Sequence, residues 1–238
     1  MRRPEYIPGA QKAGRIDALD LWRSLAILAM VAYHFLWDIT QLGVLERETL
    51  ASAPAEALRY FSAASFIIVS GAASCFSRDN LRRGFYVFCA GLLVSLVTAA
   101  LGMAVAFGIL QFLGIMTMLC HFARPWLERL RAPWTPLLWA ALWALSQAVT
   151  RSVTVGARWL YPLGLRYEGF GSADYYPLLP WAFAYFIGVW LGGELSRRRG
   201  CPLLTKRLPA ALTAPGRYSL IIYLLHQPVL LAVCWAVF

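Results

Sequence analysis

The sequence predicts an all-α, polytopic membrane helix bundle, and three observations carry that prediction. Hydrophobic residues make up 60% of the 238 and charged residues only 14%, against roughly 45–50% and 25% in soluble domains. The apolar residues gather in runs near or above 18 residues, enough to cross a hydrocarbon core roughly 30 Å thick. The basic residues are shared unequally between the connections that join those runs.

About seven spans are expected, over about 18–42, 57–77, 84–103, 105–123, 134–150, 176–195 and 217–238. Residues 1–17 form a cytoplasmic basic lead-in, and 18–238 form one transmembrane domain. "RIDALD" opens the first span, with Asp17 or Asp20 available to cap it. "GVLERETLASAPAE" is an acidic outer loop, and "SRDNLRRG" a tight basic inner turn. "LGMAVAFG" carries no charge and reads as a short outer hairpin between spans three and four. "HFARPWLERLRAP" is an inner loop whose Trp126 and Trp134 suit the head-group region. The longest outer connection, 151–176, is rich in glycine and aromatic residues. Its rings suit stacking on a sugar, covering a cavity, or an interfacial belt. "SRRRGCPLLTKRLPAALTAPG" is the basic inner loop before the last span.

With the N-terminus cytoplasmic, the inner segments and adjoining span ends hold 17 of the 22 Lys and Arg residues. The outer side keeps Arg47, Arg59, Arg151, Arg158 and Arg166. This positive-inside bias orients the chain and offers contacts to anionic lipid, so the net charge of +10 calls for no nucleic acid. The first apolar run is too long for a cleavable signal, and no small-residue cleavage site follows it. Cys75, Cys89, Cys120, Cys201 and Cys234 lack metal-ligand spacing and read as structural thiols, so no metal is expected. No internal repeat or phosphate-loop signature is present.

The informative feature of span one is its polar content, "RSLAILAMVAYHFLWDI". On a helix each residue advances about 100°. Measured from Arg23, His34 falls at about 20°, Gln41 at about 0°, and Asp38 and Asp20 both at about 60°. These residues form one stripe along the span, and ionisable residues in spans face a bundle interior or a wet cavity. Arg23 lies near the cytoplasmic end and His34 roughly 16 Å further along the axis. His34 and Asp38 are an i, i+4 pair, so the carboxylate can orient the imidazole as a base. The competing reading is a structural histidine satisfied by a neighbouring helix. Further polar groups converge from elsewhere: Gln111 in "GILQFLGI", Asp174 and Tyr175 in "SADYYPLLPW", and His226, Gln227 and Pro228 in "GRYSLIIYLLHQPVLL". Ser70–Gly71 in "FIIVSGAASC" suits close helix approach or the cavity wall. Taken singly, Gln111 and Ser70 read as packing groups.

These residues resemble the catalytic-domain family of heparan-alpha-glucosaminide N-acetyltransferase in its compact bacterial form. The resemblance runs from about 15 to 238 and rests on "RIDALDLWRSLAILAMVAYHFLWD", "FIIVSGAASC", "FGILQFLGI", "DYYPLLPW" and "GRYSLIIYLLHQPVL". The arginine, ten residues, histidine spacing of Arg23 and His34 is also similar to the wider transmembrane acyltransferase superfamily. Ser24 stands where the family usually has glycine. The resemblance implies an integral protein of the bacterial cytoplasmic membrane that moves an acetyl group from cytoplasmic acetyl-CoA. The acceptor is then a sugar amine or hydroxyl, in a carbohydrate or glycolipid, on the outer side. In that reading Arg23, Arg82 and Arg83 hold the CoA phosphates. His34 serves as base or accepts the acetyl group itself, and Asp38 orients it. Gln111 or Gln227 donates to the oxyanion, and Asp174, Tyr175 and His226 complete the substrate-binding set. A transporter or flippase using the same stripe, and a scaffold in which it is only packing, are the rival readings. Oligomeric state is left open, with a homodimer among the options.

Overall fold

A computed structural model describes residues 16–198 and 207–238. Eight α-helices run through them: α1 (Asp17–Gln41), α2 (Ala53–Ser74), α3 (Asn80–Ala100), α4 (Ile109–Arg129), α5 (Thr135–Ser152), α6 (Leu178–Arg197), α7 (Ala210–Arg217) and α8 (Ser219–Val237). Short 3-10 turns over Arg47–Ala51 and Arg158–Leu163 shape two of the connections between helices. The lead-in up to residue 15, Arg199, Cys201 and Lys206 lie outside the described residues.

Every expected span meets a helix. Of these, α1, α2, α3, α6 and α8 are long and apolar enough to cross a membrane. The polar content of α4, with Gln111, His121, Arg124 and Pro125, dilutes its hydropathy. The 18-residue α5 carries Ser146, Gln147 and Arg151 in its last two turns.

Three boundaries differ from expectation, each for a local reason. Neither acid caps α1: Ile16 is the N-cap and makes no side-chain bond. Asp17 instead accepts from the Leu208 N–H at 3.0 Å and from Arg217 at 3.3 Å, so it ties α1 to the segment entering α7. The loop expected over "HFARPWLERLRAP" is helical to Arg129. The last inner loop contains α7, and a break at Tyr218 separates α7 from α8.

Close backbone crossings hold the bundle. A Cβ at Gly114 would meet the Phe88 backbone at 2.6 Å, and one at Gly91 would meet the Gln111 nitrogen at 2.7 Å. Rising positions in α3 thus meet falling positions in α4, the antiparallel arrangement a short hairpin imposes. Gly188 and Gly192 of α6 lie on Ile68 and Ala72 of α2, so this pair runs parallel. Small residues let membrane helices approach and gain dispersion contact where no hydrophobic drive separates helix from lipid. Ile67, Phe112, Met116 and Tyr185 are fully or almost fully buried between α2, α4 and α6. The opposite pattern marks the rim. Ile221, Leu225, Val229 and Val233 recur every fourth residue on α8 and all are exposed, as an apolar face meeting hydrocarbon is.

Helices α1, α7 and α8 close one side of the bundle. Gly216 sits on the Asp20 backbone, and its N–H donates to the Ser24 hydroxyl at 2.8 Å. Ser24 donates in turn to the Asp20 carbonyl at 3.0 Å. The serine that replaces the expected glycine therefore adds a hydrogen bond at the crossing.

Candidate active site

One cavity of about 630 Å³ runs between α1, α2, α3, α4, α7 and α8, within the size range of small-molecule sites. One end carries Arg23, Arg83 and Arg217; the other carries His34, Asp174 and Tyr176. Ser70 and Leu113 are among the residues of the wall between them. Of the stripe read on span one, Asp20, Arg23 and His34 line this space, while Asp38 and Gln41 do not.

At the arginine end Arg23 pairs with Asp20 at 3.1 Å, and Arg217 reaches the same carboxylate at 3.5 Å. Arg83 has no carboxylate partner among the described residues, so its charge faces the cavity unmatched. Arg82, one residue earlier, is turned about 100° away. It lies outside the cavity and donates to the Tyr86 hydroxyl at 3.3 Å. Arg217 was missed in the sequence because it counted only toward charge. Two carboxylates on the first turn of α1 were the available signal, since such acids buried at a helix start need a cation.

At the outer end His34 packs edge-on against His226, ring centroids 4.7 Å apart. The expected bond between His34 and Asp38 does not form. Asp38 accepts instead from the Gln227 amide at 2.7 Å, and its second oxygen has no hydrogen-bond partner among the described residues. The cause is the parallel neighbour: α8 brings the Gln227 amide within reach of Asp38, while the His34 ring packs on His226. The His226 Nδ1–H donates to the Tyr223 carbonyl, which leaves Nε2 as the lone-pair nitrogen, buried and without a partner among the described residues. Tyr223 also lines the cavity.

Asp174 reaches the cavity from the outer connection. Its Oδ2 accepts from the Ile109 N–H at 3.1 Å, at the start of α4. Removal from water raises the carboxyl to about 6, against the lowering pull of that N–H and of the Tyr223 hydroxyl. The connection is pinned there by Ala173 N–H on Ala104 O and Tyr176 N–H on Phe107 O. The expected outer hairpin is thus half of a clamp with the 153–177 segment.

Gln111 lies outside the cavity. Its Nε2 donates to Ser95 at 2.9 Å and its Oε1 accepts from the Gly108 N–H, which spends it on the α3–α4 turn. Tyr175 donates to the Tyr161 carbonyl at 2.6 Å and lines a separate outer pocket. Ser70 lines the cavity while Gly71 lies on the Tyr185 carbonyl, so that dipeptide does both things expected of it. Among the described residues no group of His, Cys, Asp and Glu is arranged to hold a metal ion.

A membrane bundle with basic groups at one end of a cavity and an imidazole at the other is an arrangement that suits a membrane-embedded group-transfer enzyme. The family model for heparan-alpha-glucosaminide N-acetyltransferase, catalytic, matches residues 15–228, and the chain belongs to that family. It is an integral membrane acetyltransferase, which decides between transfer chemistry and the transporter and scaffold readings. No curated protein and no solved structure matches the chain.

Proposed function

We propose that the cavity carries an acetyl group from cytoplasmic acetyl-CoA to a sugar amine or hydroxyl on the outer side of a bacterial cytoplasmic membrane. In this reading the N-terminus is cytoplasmic and seven helices, α1 to α6 and α8, cross. The observation that carries it is the charge layout of one continuous cavity, arginines at one end and His34 at the other. Sidedness is supported by the same bias: Arg83, Arg131, Arg198 and Arg217 cluster at the end that would be inner.

Arg23, Arg83 and Arg217 hold the phosphates by charge-assisted hydrogen bonds, and the thioester arm extends toward His34. His34 takes the proton from the acceptor nitrogen or oxygen as that atom attacks the thioester carbonyl. The tetrahedral intermediate collapses, the C–S bond breaks with its electron pair on sulfur, and the leaving thiolate recovers the proton. His226 holds the His34 ring by its edge contact. Asp38 acts on α8 through Gln227 instead of on the base. Asp174, ionised at neutral pH, holds the acceptor amine. The acceptor is a carbohydrate or glycolipid, and a homodimer is compatible with this arrangement.

The test is His34→Ala in purified protein. Transfer is expected to fall by about 10²–10⁴ with folding intact; turnover near wild type would remove His34 from the chemistry. Arg83→Ala is expected to raise the KM for acetyl-CoA more than that for acceptor, and an unchanged donor KM would contradict the donor assignment.

A further inference from the structure

A second pocket, of about 380 Å³, opens at the outer end beneath the 153–177 connection. Three of the five outer arginines, Arg59, Arg151 and Arg166, converge on it, beside the rings of Tyr175, Tyr176 and Trp181. The positive-inside bias makes basic residues scarce on this side, so their gathering here calls for a reason. Glu56 pairs with Arg59 at 3.1 Å and offsets its charge. Among the described residues Arg151 bonds only the Tyr60 hydroxyl, at 2.7 Å, and Arg166 lies 5.1 Å over the Tyr175 ring. Neither has a carboxylate partner among the described residues, and a guanidinium has five donors to satisfy. The pocket therefore holds two unmatched positive charges.

Position narrows the ligand. Arg151 sits in the last turn of α5 and Arg59 in the second turn of α2, so in the proposed topology both stand at the outer ends of their spans, near the head-group region. Aromatic walls suit the face of a pyranose, and guanidinium forks suit phosphate. Tyr176 lines both this pocket and the cavity that contains His34, so an occupant here is one ring away from the proposed reaction centre.

We propose that this pocket binds a phosphate attached to the acceptor sugar, as in a lipid-linked or soluble sugar phosphate. The inference deepens the acceptor half of the proposed function and rests on it for the name acceptor. Its test uses binding alone, without acetyl-CoA, so a failure of the transfer chemistry leaves this result readable. Isothermal titration of the full-length protein in phosphatidylcholine nanodiscs would compare glucosamine 1-phosphate with glucosamine. The phosphate is expected to tighten binding at least about 10-fold, and Arg151→Gln or Arg166→Gln each to remove roughly 10-fold of it. Arg158→Gln, an outer arginine outside the pocket, is expected to change nothing. Equal affinity for the two sugars, or equal loss in the Arg158→Gln protein, would overturn the proposal. So would nanodiscs containing phosphatidylglycerol that abolish sugar phosphate binding, since that result assigns the pocket to bulk phospholipid. Among sugar phosphates, a lipid-anchored glucosamine phosphate binding more tightly than the soluble one would identify the membrane as the source of the acceptor, and equal binding the aqueous phase; both outcomes support the site.

Discussion

Asp38 and Asp174 exchange importance when their contacts are compared. Asp38 is 4% exposed and spends one oxygen on Gln227. Asp38→Asn keeps an acceptor for that amide, so turnover is expected near wild type, whereas loss of an orienting carboxylate costs about 10⁴ in kcat. Asp38→Ala leaves the Gln227 amide unpaired, and thermal unfolding is expected to report a loss of about 1–3 kcal/mol. Asp174 has the opposite profile. Its folded value of about 6 lies above the ordinary carboxylate value, so folding favours its protonated form. The stability it contributes is full below the unfolded value and is lost as pH rises to about 6. Asp174→Asn should therefore gain Tm relative to wild type between pH 4 and pH 6, with no further gain above. If Asp174 holds the acceptor amine, the acceptor KM of the wild type should rise as pH falls through about 6, and that inflection should vanish in Asp174→Asn. The stripe from Asp20 to His34 was legible in the sequence because it belongs to one helix and needs only the 100° turn. The partner of Asp38 was not, because it depends on which helix lies beside α1.

The helices were legible for the same reason and their ends were not. Hydrophobic runs identify apolar stretches, but α4 continues through a polar segment to Arg129 and α7 forms inside a basic loop, where tertiary contact with α1 outweighs composition. Crossings decide what the cavity can be. Gly114 lies between Leu113, in the cavity wall, and the Phe88 backbone on the other side. Gly114→Val would push α3 from α4, with an expected loss of roughly 1–3 kcal/mol in unfolding measurements. Arg83 and Val87 line the cavity from α3, so the same variant should also weaken acetyl-CoA binding. A variant with wild-type stability would mean the crossing is not held as tightly as these contacts require.

For the whole molecule, the proposed function draws one testable claim from the asymmetry of charge and the course of the cavity: donor and acceptor would enter from opposite faces. Labelling of single cysteines should report residue 168 from outside and residue 198 from inside, and the reverse would invert the protein. The most direct measurement is transfer across a sealed proteoliposome. With protein in one orientation, acetyl-CoA is supplied only at the face bearing Arg23, Arg83 and Arg217, and glucosamine only at the face bearing Asp174. Acetylated glucosamine should accumulate on the acceptor side while free CoA accumulates on the donor side. Product formed only when both substrates share one compartment would contradict a continuous passage from the arginines to His34.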